Sequence, residues 1–153
     1  MTEKTTQNEK ERSAVTKGDA EQAPKKPKYD PQELLAIFDE MIFSGEYQET
    51  VSIKGKLKVT FRTRSVNDIT EMTRETDGKN FTLISSLAEH RALLNLAYSL
   101  VSYAGKDLSS MSIEDRKKFI GSLSGVIGSA LSEALVKFDE KVSAAFAEGE
   151  ENF

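Results

Sequence analysis

The sequence contains no cysteine and no tryptophan among its 153 residues. Without thiols it can form no disulfide, bind no metal through thiolates and use no cysteine nucleophile, which is compatible with a reducing compartment. No apolar run approaches the roughly 20 residues that span a bilayer, and the N-terminus does not resemble a signal peptide. We therefore expect a protein of a cytoplasm, or of a particle assembled there, with no membrane contact.

Recognisable catalytic motifs are also missing. The single histidine, His90, belongs to a residue type that packs or faces solvent more often than it binds a metal without other ligands nearby. We find no phosphate-binding glycine loop, no dinucleotide fingerprint, no calcium-binding carboxylate pattern and no serine in a nucleophile-elbow context. The sequence predicts a protein that is not an enzyme and that uses no cofactor, metal or small-molecule substrate.

Charge is divided unevenly along the chain. Residues 1–29 hold seven Lys or Arg against five Asp or Glu, and the remainder holds fourteen against twenty. Neither part is basic enough to indicate nucleic-acid binding. Residues 1–29 have Val15 as their only large aliphatic side chain after Met1, so we predict a flexible charged arm that is either a solvated tail or a segment that orders on a partner.

Residues 30–147 are predicted to form one α+β domain, mostly α, in which about four helices pack with a small antiparallel β-hairpin. Helix starts are indicated at Asp30, Ser65 and Ser112, each followed by an acidic residue at the third helical position. A long helix is predicted from about Thr82 to Ala104, ended by Gly105. Residues 148–153 are predicted to be a loose acidic tail.

The last helical region is interrupted by three glycines, Gly121, Gly125 and Gly128. Glycine in an exposed helix interior costs about 1 kcal/mol relative to alanine. We therefore expect these positions to mark either a break between two helices or a close helix contact.

Residues 47–64 carry the clear hairpin signal, because apolar and polar side chains alternate in two runs. A two-residue Gly55-Lys56 turn would place the two apolar faces on opposite sides of the ribbon. A three-residue loop, residues 54–56, instead sets Ile53 opposite Leu57 and Val51 opposite Val59. We therefore predict one apolar face, which helices must cover, and one basic face.

The basic residues of this hairpin are the candidate partner-binding residues: Lys54, Lys56, Lys58, Arg62 and Arg64. Three interpretations remain open, namely a solvated strand face whose lysines discourage aggregation, docking against an acidic protein surface, and nucleic-acid binding. Nucleic acid is the least favoured partner, because no aromatic residues alternate with the basic ones to stack on bases.

The order of elements carries a family resemblance over roughly residues 43–146. After a short helix come the hairpin VSIKGKLKVTFRTRSVNDITEM, the middle helix HRALLNLAYSLVSYAGKDL and the last segment DRKKFIGSLSGVIGSALSEALVKFDEKV. Together they resemble small tail-morphogenesis proteins of tailed bacteriophages, namely tail assembly chaperones and related baseplate-hub proteins of contractile-tailed phages.

This resemblance implies a role in a phage tail or baseplate through protein–protein contacts, with other tail or baseplate proteins or a second copy of the chain as partners. The protein would be found in the virion or, during assembly, in the host cytoplasm. Two roles stay open: a structural tail component, or a chaperone that holds the tape measure or another tail protein and is absent from the mature virion. The charged arm before Tyr29 is longer than the chaperone pattern leads one to expect.

Overall fold

The structure, a computed structural model, describes residues 28–151, which form five helices and four strands. They are α1 Pro31–Ser44, β1 Gln48–Ile53, β2 Leu57–Arg62, α2 Val66–Asp77, α3 Ile84–Ser99, β3 Leu100–Tyr103, β4 Lys106–Asp107, α4 Ile113–Ser122 and α5 Gly125–Glu151. The predicted class, mostly α with a small antiparallel sheet, is confirmed. The predicted arm lies outside the described residues except for Lys28 and Tyr29.

The predicted helix starts are confirmed by their capping hydrogen bonds. The Asp30 carboxylate accepts from the backbone N–H of Gln32 at 3.1 Å, ahead of a proline at the first helical position. Ser65 and Asp68 form a reciprocal capping box at the start of α2. The Ser112 hydroxyl caps α4 in the same way as Ser65 caps α2, by accepting from a backbone N–H three residues on. These caps satisfy N–H groups that have no partner within their helix.

The first hairpin has the predicted register. Ile53 lies opposite Leu57 and Val51 opposite Val59, joined by a loop over residues 54–56. Lys54 and Gly55 both have positive φ, 52° and 68°, and glycine adopts this conformation without a steric cost. The apolar face of the hairpin packs against α5, as the aromatic contacts of Phe138 with Phe61 and Tyr47 show.

The prediction of one helix from Thr82 to Ala104 is wrong at its C-terminal end. Helix α3 stops at Ser99, and the chain continues as β3, which pairs with β2. Ala104 and Gly105, with φ of 49° and 83°, then turn the chain into β4. Pairing with β2 outweighs the helical pattern here, so the hairpin becomes a four-stranded antiparallel sheet in the order β1-β2-β3-β4.

The glycine-rich region is a break between helices, one of the two predicted alternatives, since α4 ends at Ser122 and α5 begins at Gly125. A close helix contact occurs at a different glycine. A Cβ added at Gly149 would overlap the ring of Phe38 on α1. Of the predicted loose tail, residues 148–153, residues 148–151 instead continue α5, and residues 152 and 153 lie outside the described residues.

The main core lies between the sheet and helices α3, α4 and α5. It contains the fully buried side chains of Val59, Phe61, Leu100, Leu108 and Leu131. A smaller cluster, with Leu34, Ile37 and Ala145, joins α1 to α5. Helix α2 contributes no buried residue. Within residues 28–151, no helix has the length and apolar character needed to cross a bilayer.

Candidate protein-binding groove

Strand β1 forms one edge of the sheet, and its outward backbone groups have no partner strand among the described residues. The N–H of Thr63 donates to the carbonyl of Tyr47 at 2.9 Å, so the odd-numbered residues of β1 hydrogen-bond to β2. By alternation, the backbone N–H and C=O groups of Gln48, Thr50 and Ser52 point outward. All three residues are exposed. This surface, the β1 edge, is a template for a further strand.

A groove of about 460 Å³ runs beside the β1 edge, between β1 and α5. Its apolar lining comes from both elements: Val51, Ile53, Ala130, Ala134 and Phe138. Lys54, Lys137 and Glu133 add charge, and no ion pair within residues 28–151 involves them. An apolar lining beside free backbone groups and charges suits an extended peptide segment.

Lys141 joins three elements at one end of this groove. Its ammonium lies 2.6 Å from Glu33 on α1 and 2.8 Å from Glu49 on β1. Burial would lower the pKa of Lys141, but its hydrogen bonds to Glu33 and Glu49 outweigh burial and raise the pKa well above its ordinary value. The ion pair neutralises Glu49, the one charged residue of β1, and holds the strand against α5.

The described chain begins at this same end of the groove. Lys28, which lines the groove, pairs with Glu140 on α5 at 3.2 Å, and Tyr29 packs against the Leu34, Ile37 and Ala145 cluster. Lys28 and Tyr29, the last two residues of the predicted arm, thus contact α5 and the α1–α5 cluster, and the domain boundary at Asp30 stays a prediction.

The structure does not gather the five candidate partner-binding residues on one free face. Lys54 lines the groove, Lys56 lies in the loop, and Lys58 projects from the polar side of the sheet; all three are exposed. Their predicted partner-binding role stays a prediction.

The two arginines of that set form intramolecular contacts instead. Arg62 lies 3.0 Å from Asp68. Arg64, with 18% of its side chain exposed, donates to the buried hydroxyl of Ser99 at 2.6 Å and pairs with Asp139 on α5 at 2.8 Å. Arg62, at the end of β2, and Arg64, just after it, therefore contact helices of the same chain.

Sequence reasoning missed the α5 side of the groove. Glu133, Lys137 and Lys141 follow one another at four-residue spacing, which places them on one helix face. That signal was visible, but only the packing of α5 against β1 shows that this face borders the free edge.

His90 has an unusual environment but no metal-site geometry. Its ring packs on Phe81 with 5.1 Å between centroids, and its buried Nε2 has no hydrogen-bond partner. Burial, with a contribution from Lys79, lowers the pKa of His90. Over the described part of the chain, no group of three or more His, Cys, Asp or Glu side chains is arranged to hold a metal ion.

Comparison of the chain with family models, with curated proteins and with solved structures found no match.

Proposed function

We propose that this chain is a non-enzymatic structural or assembly protein of a bacteriophage tail or baseplate, and that it acts through protein–protein contacts, binding a second protein chain, either another tail protein or a further copy of itself, along the β1 edge. The phage context comes from the sequence resemblance alone. The geometric support is the open β1 edge beside the groove, which offers free backbone hydrogen-bonding groups next to an apolar lining.

The same protein-binding chemistry suits an assembly chaperone for the tape measure or another tail protein, and helix α2 supports this alternative. Val66 and Ile69 on α2 are 81% and 53% exposed. A second groove, of about 210 Å³, opens between α2 and α3 and is lined in part by Ile69, Met72 and Leu94. Such an apolar surface could bind and shield an aggregation-prone segment of a tail protein.

Mass spectrometry of purified phage particles, alongside infected-cell lysate, separates the two roles. The structural role predicts that the chain is present in particles at a fixed ratio to the tail proteins. The chaperone role predicts abundance in the lysate and absence from mature particles. Absence from both the particles and every complex with a tail protein would contradict the proposed function.

Site-specific photo-crosslinking tests where the partner binds. A photoreactive residue replacing Lys137, in the groove, should form a covalent product with a tail or baseplate protein or with a second copy of this chain. The matched control replaces Lys118, an exposed lysine of α4 that does not line the groove. Equal products from both positions, or none from the Lys137 position, would contradict binding at the groove.

A further inference from the structure

We propose that two copies of this chain pair through their β1 edges, antiparallel, with Thr50 of each copy at the twofold axis. This inference rests on the proposed protein-binding role of the edge and names a second copy as its occupant. Four observations support it: the unprotected edge, the alternation of outward backbone groups along β1, a row of hydroxyl groups that ends at Thr50, and complementary charge at the two ends of β1.

The β1 edge lacks the features that prevent strand addition. The outward residues Gln48, Thr50 and Ser52 are polar but uncharged, and β1 contains no proline. Its pairing with β2 runs without a bulge from Gln48 to Ile53. Natural edges are usually blocked by charge, proline, a bulge or a short strand.

The alternation of outward and inward backbone groups along β1 permits a twofold arrangement. Because Gln48, Thr50 and Ser52 direct their backbone groups outward, Thr50 can face Thr50 of the second copy as a hydrogen-bonded pair. Gln48 of each copy then faces Ser52 of the other. The arrangement satisfies the outward groups of all three residues in both copies and makes one continuous eight-stranded sheet.

A row of hydroxyl groups crosses the polar side of the sheet and stops at this edge. Ser102 on β3 donates to the Thr60 hydroxyl at 2.9 Å, and the Thr60 and Thr50 hydroxyls lie 2.8 Å apart. Pairing at Thr50 continues the row into the second copy. On the opposite side, the half-buried Val51 and Ile53 of each copy extend the apolar layer.

The charges at the two ends of β1 complement each other under this twofold axis. Lys54 is the first residue after β1 and Glu46 lies just before it, so the antiparallel arrangement brings the Lys54 end of one copy beside the Glu46 end of the other. No residue of the described chain forms an ion pair with Lys54. The Glu46 carboxylate lies 3.8 Å from the Arg62 guanidinium and accepts a hydrogen bond from the side chain of Gln48 at 2.5 Å. Glu49 does not oppose the pairing, because Lys141 already neutralises it.

Charge exchange at Thr50 tests the pairing in the full-length protein. The wild-type chain should sediment as a dimer, whereas Thr50→Lys and Thr50→Glu, each facing its own charge across the axis, should sediment as monomers. An equimolar mixture of the two variants should regain the dimer mass, which also shows that both variants are folded. A monomeric wild-type protein would overturn the proposal and leave residues 1–27 or a different protein as the occupant, and so would two variants that remain dimeric alone.

Disulfide trapping tests the register. Because the sequence contains no native cysteine, any disulfide must involve the introduced residue. Hydrogen-bonded antiparallel pairs have Cα atoms about 5.5 Å apart, within the range of a disulfide. Thr50→Cys should therefore form a covalent dimer on mild oxidation. Lys58→Cys, exposed on the same side of the sheet but on the interior strand β2, should not. Equal crosslinking of both variants would overturn the register.

The pairing and the proposed function can fail independently. A dimer that is absent from particles and from tail-protein complexes would retain the pairing and remove the phage role. A monomer that is incorporated into particles would retain the phage role and remove the pairing.

Discussion

The two edges of the sheet differ in length and in charge. Strand β1 spans Gln48–Ile53 and presents uncharged side chains at its outward positions, whereas β4 consists only of Lys106 and Asp107. At the β4 edge the side chains fold back onto the same chain: the Lys106 ammonium lies over the Phe119 ring, and the Asp107 carboxylate accepts from the N–H of Ser109. Short, charged strands of this kind are how proteins block strand addition.

The contrast shows which edge is available for binding. Both edges belong to the same four-stranded sheet, β1 beside β2 and β4 beside β3, so the difference lies in what each edge exposes. The β4 edge is closed by its own turn and loop. The β1 edge keeps backbone groups and an adjoining groove open, and this difference favours β1 as the binding edge.

The largest expected effect comes from the interior strand β2, which pairs with β1 and β3. Val59 and Phe61 on β2 are fully buried. Val59→Asp or Phe61→Asp would bury an unpaired carboxylate and should cost more than about 4 kcal/mol, enough to unfold the domain and remove both edges. Circular dichroism measures the loss. Lys58→Glu, on the exposed side of the same strand, should leave the fold intact; if this control unfolded the chain, the assignment of faces would be wrong.

A second substitution removes a buried side chain that packs beside the closed edge. The buried guanidinium of Arg116 donates to the carbonyls of Ala97, Leu108 and Ser109, and so holds the loop after β4. Arg116→Met should leave these carbonyls unsatisfied and destabilise the protein by about 2–4 kcal/mol, measured by urea unfolding. Lys118→Met, on an exposed position of the same helix, is the control. Equal stability of the two variants would show that Arg116 does not hold the β4 edge.

A third pair of substitutions tests how α5 is held behind the open edge. Gly149→Ala should force α5 away from Phe38 of α1 and cost about 1–3 kcal/mol, because the added Cβ has no room. Gly128→Ala, in the same helix with nothing near its Cβ position, should stabilise by up to about 1 kcal/mol. Denaturant midpoints of the two variants should therefore move in opposite directions from wild type. A shift of the same sign would contradict the close α1–α5 contact.

The smallest expected effect concerns the polar side of the sheet, where Arg62 of β2 meets Asp68 of α2. Burial alone would raise the pKa of Asp68, but hydrogen bonds from the Ser65 backbone and from Arg62 outweigh it and lower the pKa below its ordinary value. A lowered pKa contributes stability that is complete above the ordinary value and is lost as the pH falls through the folded value.

Asp68→Asn should therefore cost about 1 kcal/mol near neutral pH. The difference in unfolding free energy between wild type and variant should narrow as the pH falls below about 4. Urea titrations at several pH values measure this difference. A difference that widened in acid would contradict the lowered pKa.

The first hairpin could be predicted in detail because its information is local. Alternation of Val51, Ile53, Leu57 and Val59 allows one register that keeps the apolar side chains on a single face, and the loop at Gly55 accommodates it. The helix starts at Asp30, Ser65 and Ser112 were predictable for the same reason, since each cap is made within one turn of chain.

The second hairpin and the binding groove could not be predicted in this way. Leu100–Tyr103 continues the apolar pattern of α3, and only its pairing with β2 makes it a strand. The groove needs α5 beside β1, and Arg64 turns inward only because Ser99 and Asp139 lie within reach. The sequence by itself determined the caps, the first hairpin and the lack of recognisable catalytic motifs. The tertiary structure decided which edge stays open and which basic residues remain free, because both depend on contacts between residues far apart in the chain.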